Sequence, residues 1–104
     1  MDTSKKRRFQ FVTPDGELIE TGNSNDTFTL FIDMIGADNV APLNLMVRDE
    51  PLILDEAKNG WHKPLSNAKF LNTFTVNVAK ISICKKICKA LNIKGYHFSL
   101  TDKI

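Results

Sequence analysis

The sequence predicts an α+β domain: a mainly antiparallel sheet with two amphipathic helices packed on one face, in the order β-β-α-β-β-β-β-α-β. Three observations lead there. Residues 26–35 and 78–91 carry apolar side chains at helical spacing. The remaining apolar runs are short, often alternating, and bounded by turn residues, as strands are. Hairpins predominate, and neither helix sits in the clean βαβ alternation that a parallel sheet needs.

Each element has a local reason. Residues 8–12 read as a strand, Pro14-Asp15-Gly16 as a turn, and Leu18-Ile19 as the returning strand of a hairpin. Gly22 and the polar residues after it break the hairpin. The first helix follows, with Asn25 or Asp26 to accept from its free N–H groups and Gly36 to end it. Phe28, Phe31, Ile32 and Ile35 form its buried stripe. Asp38 is placed to cap a further short turn through Val40 and Ala41, and Pro42 discourages continuation.

Residues 43–47 and 52–54 are expected as strands on either side of the polar turn Arg48-Asp49-Glu50-Pro51. After a loop ending in Asn59-Gly60, residues 61–65 and 70–76 are expected as two more strands joined by Ser66-Asn67-Ala68-Lys69. In the second, Phe70, Asn72, Phe74 and Val76 would share one face. The second helix has Asn77, or alternatively Thr75, as its expected N-cap, with Ile81, Cys84, Ile87, Cys88 and Leu91 facing inward and Ser82, Lys85, Lys86 and Lys89 facing out. Beyond Gly95, Tyr96, Phe98 and Leu100 alternate with His97 and Ser99 as a half-buried final strand.

A chain of 104 residues fits one domain, divided here into a loose basic arm at residues 1–7 and a single domain at 8–104. Its 42% hydrophobic and 25% charged content is that of an ordinary globular protein. No apolar run is long enough to cross a bilayer, and no signal-peptide pattern is present, so a cytoplasmic protein without membrane contact is expected. The net charge of +2 is too small to imply a polyanionic partner by itself. Its distribution says more: Lys5, Lys6, Arg7 and Arg8 run together at one end, and Lys80, Lys85, Lys86, Lys89 and Lys94 gather near the other.

No reacting constellation is visible, so the chain is expected not to be an enzyme. Cys84 and Cys88 lie one helical turn apart among isoleucines, which suits core packing. A zinc site would need further ligands at suitable spacing, and His62 and His97, expected at the surface or boundary, are distant in sequence. Neither a metal nor a cofactor is expected. Two binding functions remain. The first is nucleic-acid binding, to DNA or RNA, through the arm (Lys5, Lys6, Arg7, Arg8) and the helix face (Lys85, Lys86, Lys89), since lysine and arginine contact phosphate as cations. The alternative is a protein-interaction or homodimerisation module, with Met46 on a possible edge strand and Trp61 as an interface anchor.

Overall fold

A computed structural model of the chain describes residues 6–103, with side-chain environments for residues 8–100. Strand β1 (Lys6–Val12) turns through Pro14-Asp15-Gly16 into β2 (Leu18–Ile19). Helices α1 (Ser24–Ile35) and α2 (Ala37–Val40) and a 3-10 turn (Ala41–Leu43) come next. Five short strands follow: β3 (Met46–Val47), β4 (Glu50–Pro51), β5 (Ile53–Leu54), β6 (His62–Pro64) and β7 (Phe70–Asn72). Helix α3 (Asn77–Ala90) and strand β8 (His97–Lys103) complete the order.

The fold is α+β, and every strand pairing among the described residues is antiparallel. The expected single sheet is instead three small ones, ordered β2-β1-β8, β3-β4 and β5-β7-β6. The reason lies in the backbone between residues 44 and 68. Asn44 (φ 55°), Arg48 (φ 49°), Asp49 (φ 68°) and Ala68 (φ 69°) all adopt the left-handed region, and such residues turn the chain rather than extend it.

The first sheet positions both long helices. β1 and β8 pair along their whole length, with Phe9 opposite Leu100 and Phe11 opposite Phe98. Side chains alternate across a strand, so these four share the inner face, while Gln10 and Ser99 meet on the outer one through a 3.1 Å hydrogen bond. α1 and α3 both pack on β1, and α3 also on β8. The centre of the core is aromatic. The Phe31 ring meets the Phe98 edge at 5.1 Å and Phe11 and Tyr96 at 5.4 Å between centroids. One continuous cluster joins this centre to Leu52, Leu65 and Leu71 of the later segments. Two bonds from Ser66 to Asp33 Oδ1 and one from Asn67 to Asp38 tie the β6–β7 loop to α1 and α2.

Several boundaries differ from expectation. α1 begins at Ser24, because Asn23 rather than Asn25 or Asp26 caps it: Asn23 Oδ1 accepts from Asp26 N at 2.8 Å. The extra turn after Gly36 is present as α2, but Asp38 does not cap it: Gly36 holds the cap position without a side-chain bond, and Asp38 accepts from Asn67 instead. The strand expected at 43–47 shrinks to β3 because residues 41–43 coil and Asn44 reverses the backbone. The strand expected at 70–76 stops at Asn72, where Phe74 N bonds Asn72 Oδ1 and Thr75 N bonds Thr73 O in tight turns. Asn77 is the first residue of α3 rather than its cap; Val76 holds the cap position and makes no side-chain hydrogen bond there.

Candidate nucleic-acid interface

α3 has a buried face of Lys80, Ile83, Cys84 and Ile87, turned by a fraction of a turn from the one expected. Ile81, Cys88 and Leu91 are half-buried flanks of the same core. Lys80 explains the rotation. Its methylene stem fills a place that an apolar residue would otherwise take, and its amine reaches back to donate to Thr75 O at 2.6 Å and Asn77 Oδ1 at 3.4 Å. Lys80 therefore leaves the surface lysine cluster in which the sequence placed it. Burial holds its amine below the usual lysine range, at about 8.

The opposite face is basic. Lys85, Lys86 and Lys89 are exposed, as is Ser82. α3 contains no aspartate or glutamate, and among the described residues none of the three lysines has an ion-pair partner. At 100° per residue, Val78, Ser82, Lys85 and Lys89 lie within about 60° of one another, so they form one stripe along the helix.

The basic run at the other end is less uniform. Lys5 lies outside the described residues, and the side chains of Lys6 and Arg7 lie outside them too; the backbone of Lys6 and Arg7 pairs with Lys103 and Asp102. Arg8 is half-buried. Its guanidinium donates to Gly22 O at 2.8 Å, and its Nε lies 3.9 Å from Glu20 Oε2. Arg8 is thus engaged with the loop that leads into α1.

Met46 and Trp61, the residues of the alternative reading, are both exposed, at 55% and 46%. Trp61 packs on Phe74, itself 41% exposed, with ring centroids 5.0 Å apart and planes inclined by 33°. The guanidinium carbon of Arg48 lies 4.6 Å from the same Phe74 ring centre, and Arg48 Nε donates to Phe74 O at 2.8 Å. Val76 and Val78, which follow Phe74 in the chain at the start of α3, are exposed at 61% and 66%. The sequence pointed to Trp61 as an interface anchor. It gave no sign of Phe74 or Arg48, because both reach the patch only through the turns after β7 and β3.

His62 is a correction: it is buried, not a surface residue. Its Nδ1 accepts from the Lys58 backbone N–H at 2.9 Å, and its Nε2 faces Glu50 Oε1 at 4.0 Å. Asn72, fully buried beside it, donates toward Val47 O and Glu50 Oε1 at 3.5 and 3.4 Å. Both cysteines are free thiols; burial pushes Cys84 up strongly and Cys88 up less. Among the described residues, no three histidines, cysteines or carboxylates come together as metal ligands would. The hollow of about 130 Å³ lined by Val40, Leu45, Met46 and Leu52 contains no ionisable side chain. No helix among the described residues is long and apolar enough to cross a membrane.

No protein-family model, curated protein or solved structure matches the chain. The geometry of the α3 stripe and the aromatic patch therefore carries the functional reading.

Proposed function

We propose that the chain is a small non-enzymatic accessory or regulatory protein that binds nucleic acid, with the exposed face of α3 as its principal contact. The observation that carries this reading is the set Lys85, Lys86 and Lys89: three exposed cations on a helix without an acid, unpaired among the described residues. A solvated helix face normally mixes charges of both signs, and a one-signed stripe holds counterions that a phosphate backbone can displace. The basic run at residues 5–8 adds positive charge, although Arg8 is already engaged with Gly22 and Glu20.

A second reading, a protein-interaction or dimerisation surface without nucleic-acid contact, is favoured by the exposure of Met46 and Trp61. One experiment separates the two. Labelled single- and double-stranded DNA and RNA are titrated with the protein at low and at physiological salt, and the change in fluorescence anisotropy is followed. Under the first reading, binding weakens steeply with salt. The double change Lys85→Glu, Lys89→Glu then abolishes binding while leaving the melting temperature unchanged, because neither side chain is packed. Equal binding by the double variant would refute the α3 face. No binding to any nucleic acid, together with a dimer in light scattering that Trp61→Ala dissociates, would establish the second reading.

A further inference from the structure

We propose that Trp61, Phe74 and Arg48 form a base-stacking platform that makes the chain a binder of single-stranded rather than duplex nucleic acid. The platform rests on the nucleic-acid reading above and names the class of strand it takes. Three features carry it.

The first is a large aromatic surface that the fold leaves exposed while fixing its backbone. Trp61 N donates to Asn59 Oδ1 at 2.8 Å, and Trp61 O accepts from Thr73 N at 3.0 Å and Thr73 Oγ1 at 2.6 Å. The ring is thus held against Phe74 on an anchored stretch of chain, as a stacking surface must be if little entropy is to be lost on binding.

The second is Arg48. It sits in the two-residue turn between β3 and β4, and both turn residues have positive φ, 49° at Arg48 and 68° at Asp49. Such turns favour Asn-Gly, and a non-glycine pair there stores backbone strain. What the turn achieves is to set a guanidinium against the Phe74 ring, pinned by its bond to Phe74 O. Arginine planes and aromatic rings are the side chains on which unstacked bases lie.

The third is continuity with the cationic stripe. Val78 opens the same helical stripe that holds Lys85 and Lys89. At 1.5 Å per residue these lysines lie about 10 and 16 Å along α3 from it. Phe74 lies four residues before Val78, so the two are at most about 14 Å apart, and a strand with its bases on the platform would have the lysines within reach of its phosphates. A protein partner would use the apolar part equally well, but it has no general need for a run of lysines beside it. Duplex DNA would meet the lysines and leave the rings unused, since its base faces are already stacked.

Trp61 is the only tryptophan of the chain, so its emission reads stacking directly. The wild-type protein is titrated with a short oligothymidine, its RNA counterpart and a matched duplex, following tryptophan emission together with the anisotropy of labelled strands. Expected are strong quenching by the single strands, none by the duplex, and single-strand affinity about ten- to a hundredfold weaker in Phe74→Ala and Trp61→Leu. Duplex affinity stays unchanged in both variants, and Trp61→Phe, which keeps a ring, recovers most of the loss. Single-strand binding that leaves the emission unchanged, or that survives both substitutions, would overturn the platform while leaving the α3 lysines as a phosphate site. Emission that shifts with protein concentration alone, with no response to any strand, would overturn it in favour of self-association. Absence of binding to every strand at low salt would remove the nucleic-acid reading itself.

Discussion

Lys80 is the least conventional residue of the fold. Its side chain is 2% exposed, it carries an amine, and no carboxylate lies within ion-pair distance among the described residues. It also stands near the N-terminus of α3, where the helix dipole disfavours a cation. The hydrogen bond to Thr75 O offsets part of this, and burial accounts for the fall of its pKa to about 8. The consequence for stability has a definite sign. Between pH 8 and the ordinary lysine value of 10.5, the unfolded chain keeps a proton that the folded chain has released, so this group makes folding more favourable as pH rises. The slope is at most about 1.4 kcal/mol per pH unit. Cys84, Cys88 and Tyr96 act oppositely, because burial raises their pKa values and the folded state then holds protons that the unfolded state loses. Comparison with Lys80→Met isolates the lysine. Urea denaturation at intervals from pH 7 to 10 should show the wild type gaining on the variant across that window. A constant difference between the two would mean that the amine is not desolvated.

At the scale of elements, what the sequence reveals depends on how strongly a segment repeats its own pattern. The β1–β2 hairpin, α1 and β8 are long or well punctuated, and each lies within a few residues of where periodicity and turn residues place it, although Asn23 caps α1 in place of Asn25 or Asp26. α3 is legible as a helix and its lysine face as a face, but its rotation is not, because Lys80 behaves as a core residue only once Thr75 is folded over it. The segment from residue 44 to residue 76 is the hardest to read. Its strands are two or three residues long, and its turns use Asn44, Arg48, Asp49 and Ala68 where glycine would have given a signal. The burial of His62 and the exposure of Trp61, adjacent in sequence, follow from which neighbours cover them, and no local pattern contains that. One close approach tests how these elements are locked. Gly95 has φ 99°, and a Cβ there would lie 2.9 Å from Pro14 Cβ and 3.2 Å from Pro14 Cα. It lets the entry to β8 pass against the β1–β2 turn. Gly95→Ala should therefore destabilise the fold by about 1–3 kcal/mol, from left-handed strain and overlap together. Gly22→Ala, with open space around its Cβ, should change stability by about 0.5 kcal/mol or less. Chemical denaturation of the two variants side by side checks this, and equal effects would show that Gly95 is not a point of contact.

Over the whole molecule, the proposed interface has two parts of different chemistry, the α3 lysines and the Trp61–Phe74–Arg48 patch, and that makes their contributions separable. In the proposed complex the α3 lysines would act through counterion release, which vanishes as salt approaches molar concentration. The proposed stacking on Trp61, Phe74 and Arg48 would exchange few ions and persist at high salt. A plot of log affinity for a single strand against log salt should then be a straight line whose slope comes from the lysines and whose intercept at 1 M salt comes mainly from the platform. With about 0.7 per phosphate contact on single strands, Lys85, Lys86 and Lys89 together supply a slope near −2. Neutralising one, as in Lys89→Gln, should reduce the slope by about 0.7 and leave the intercept nearly unchanged. Phe74→Ala should lower the intercept about tenfold or more and leave the slope as it was. The two substitutions alter different non-contacting parts of the face, so the double variant should show both effects added. The opposite result, in which Phe74→Ala changes the slope or Lys89→Gln the intercept, would mean that bases and phosphates do not divide between the rings and the helix. The charged and aromatic parts would then have to be assigned to separate partners.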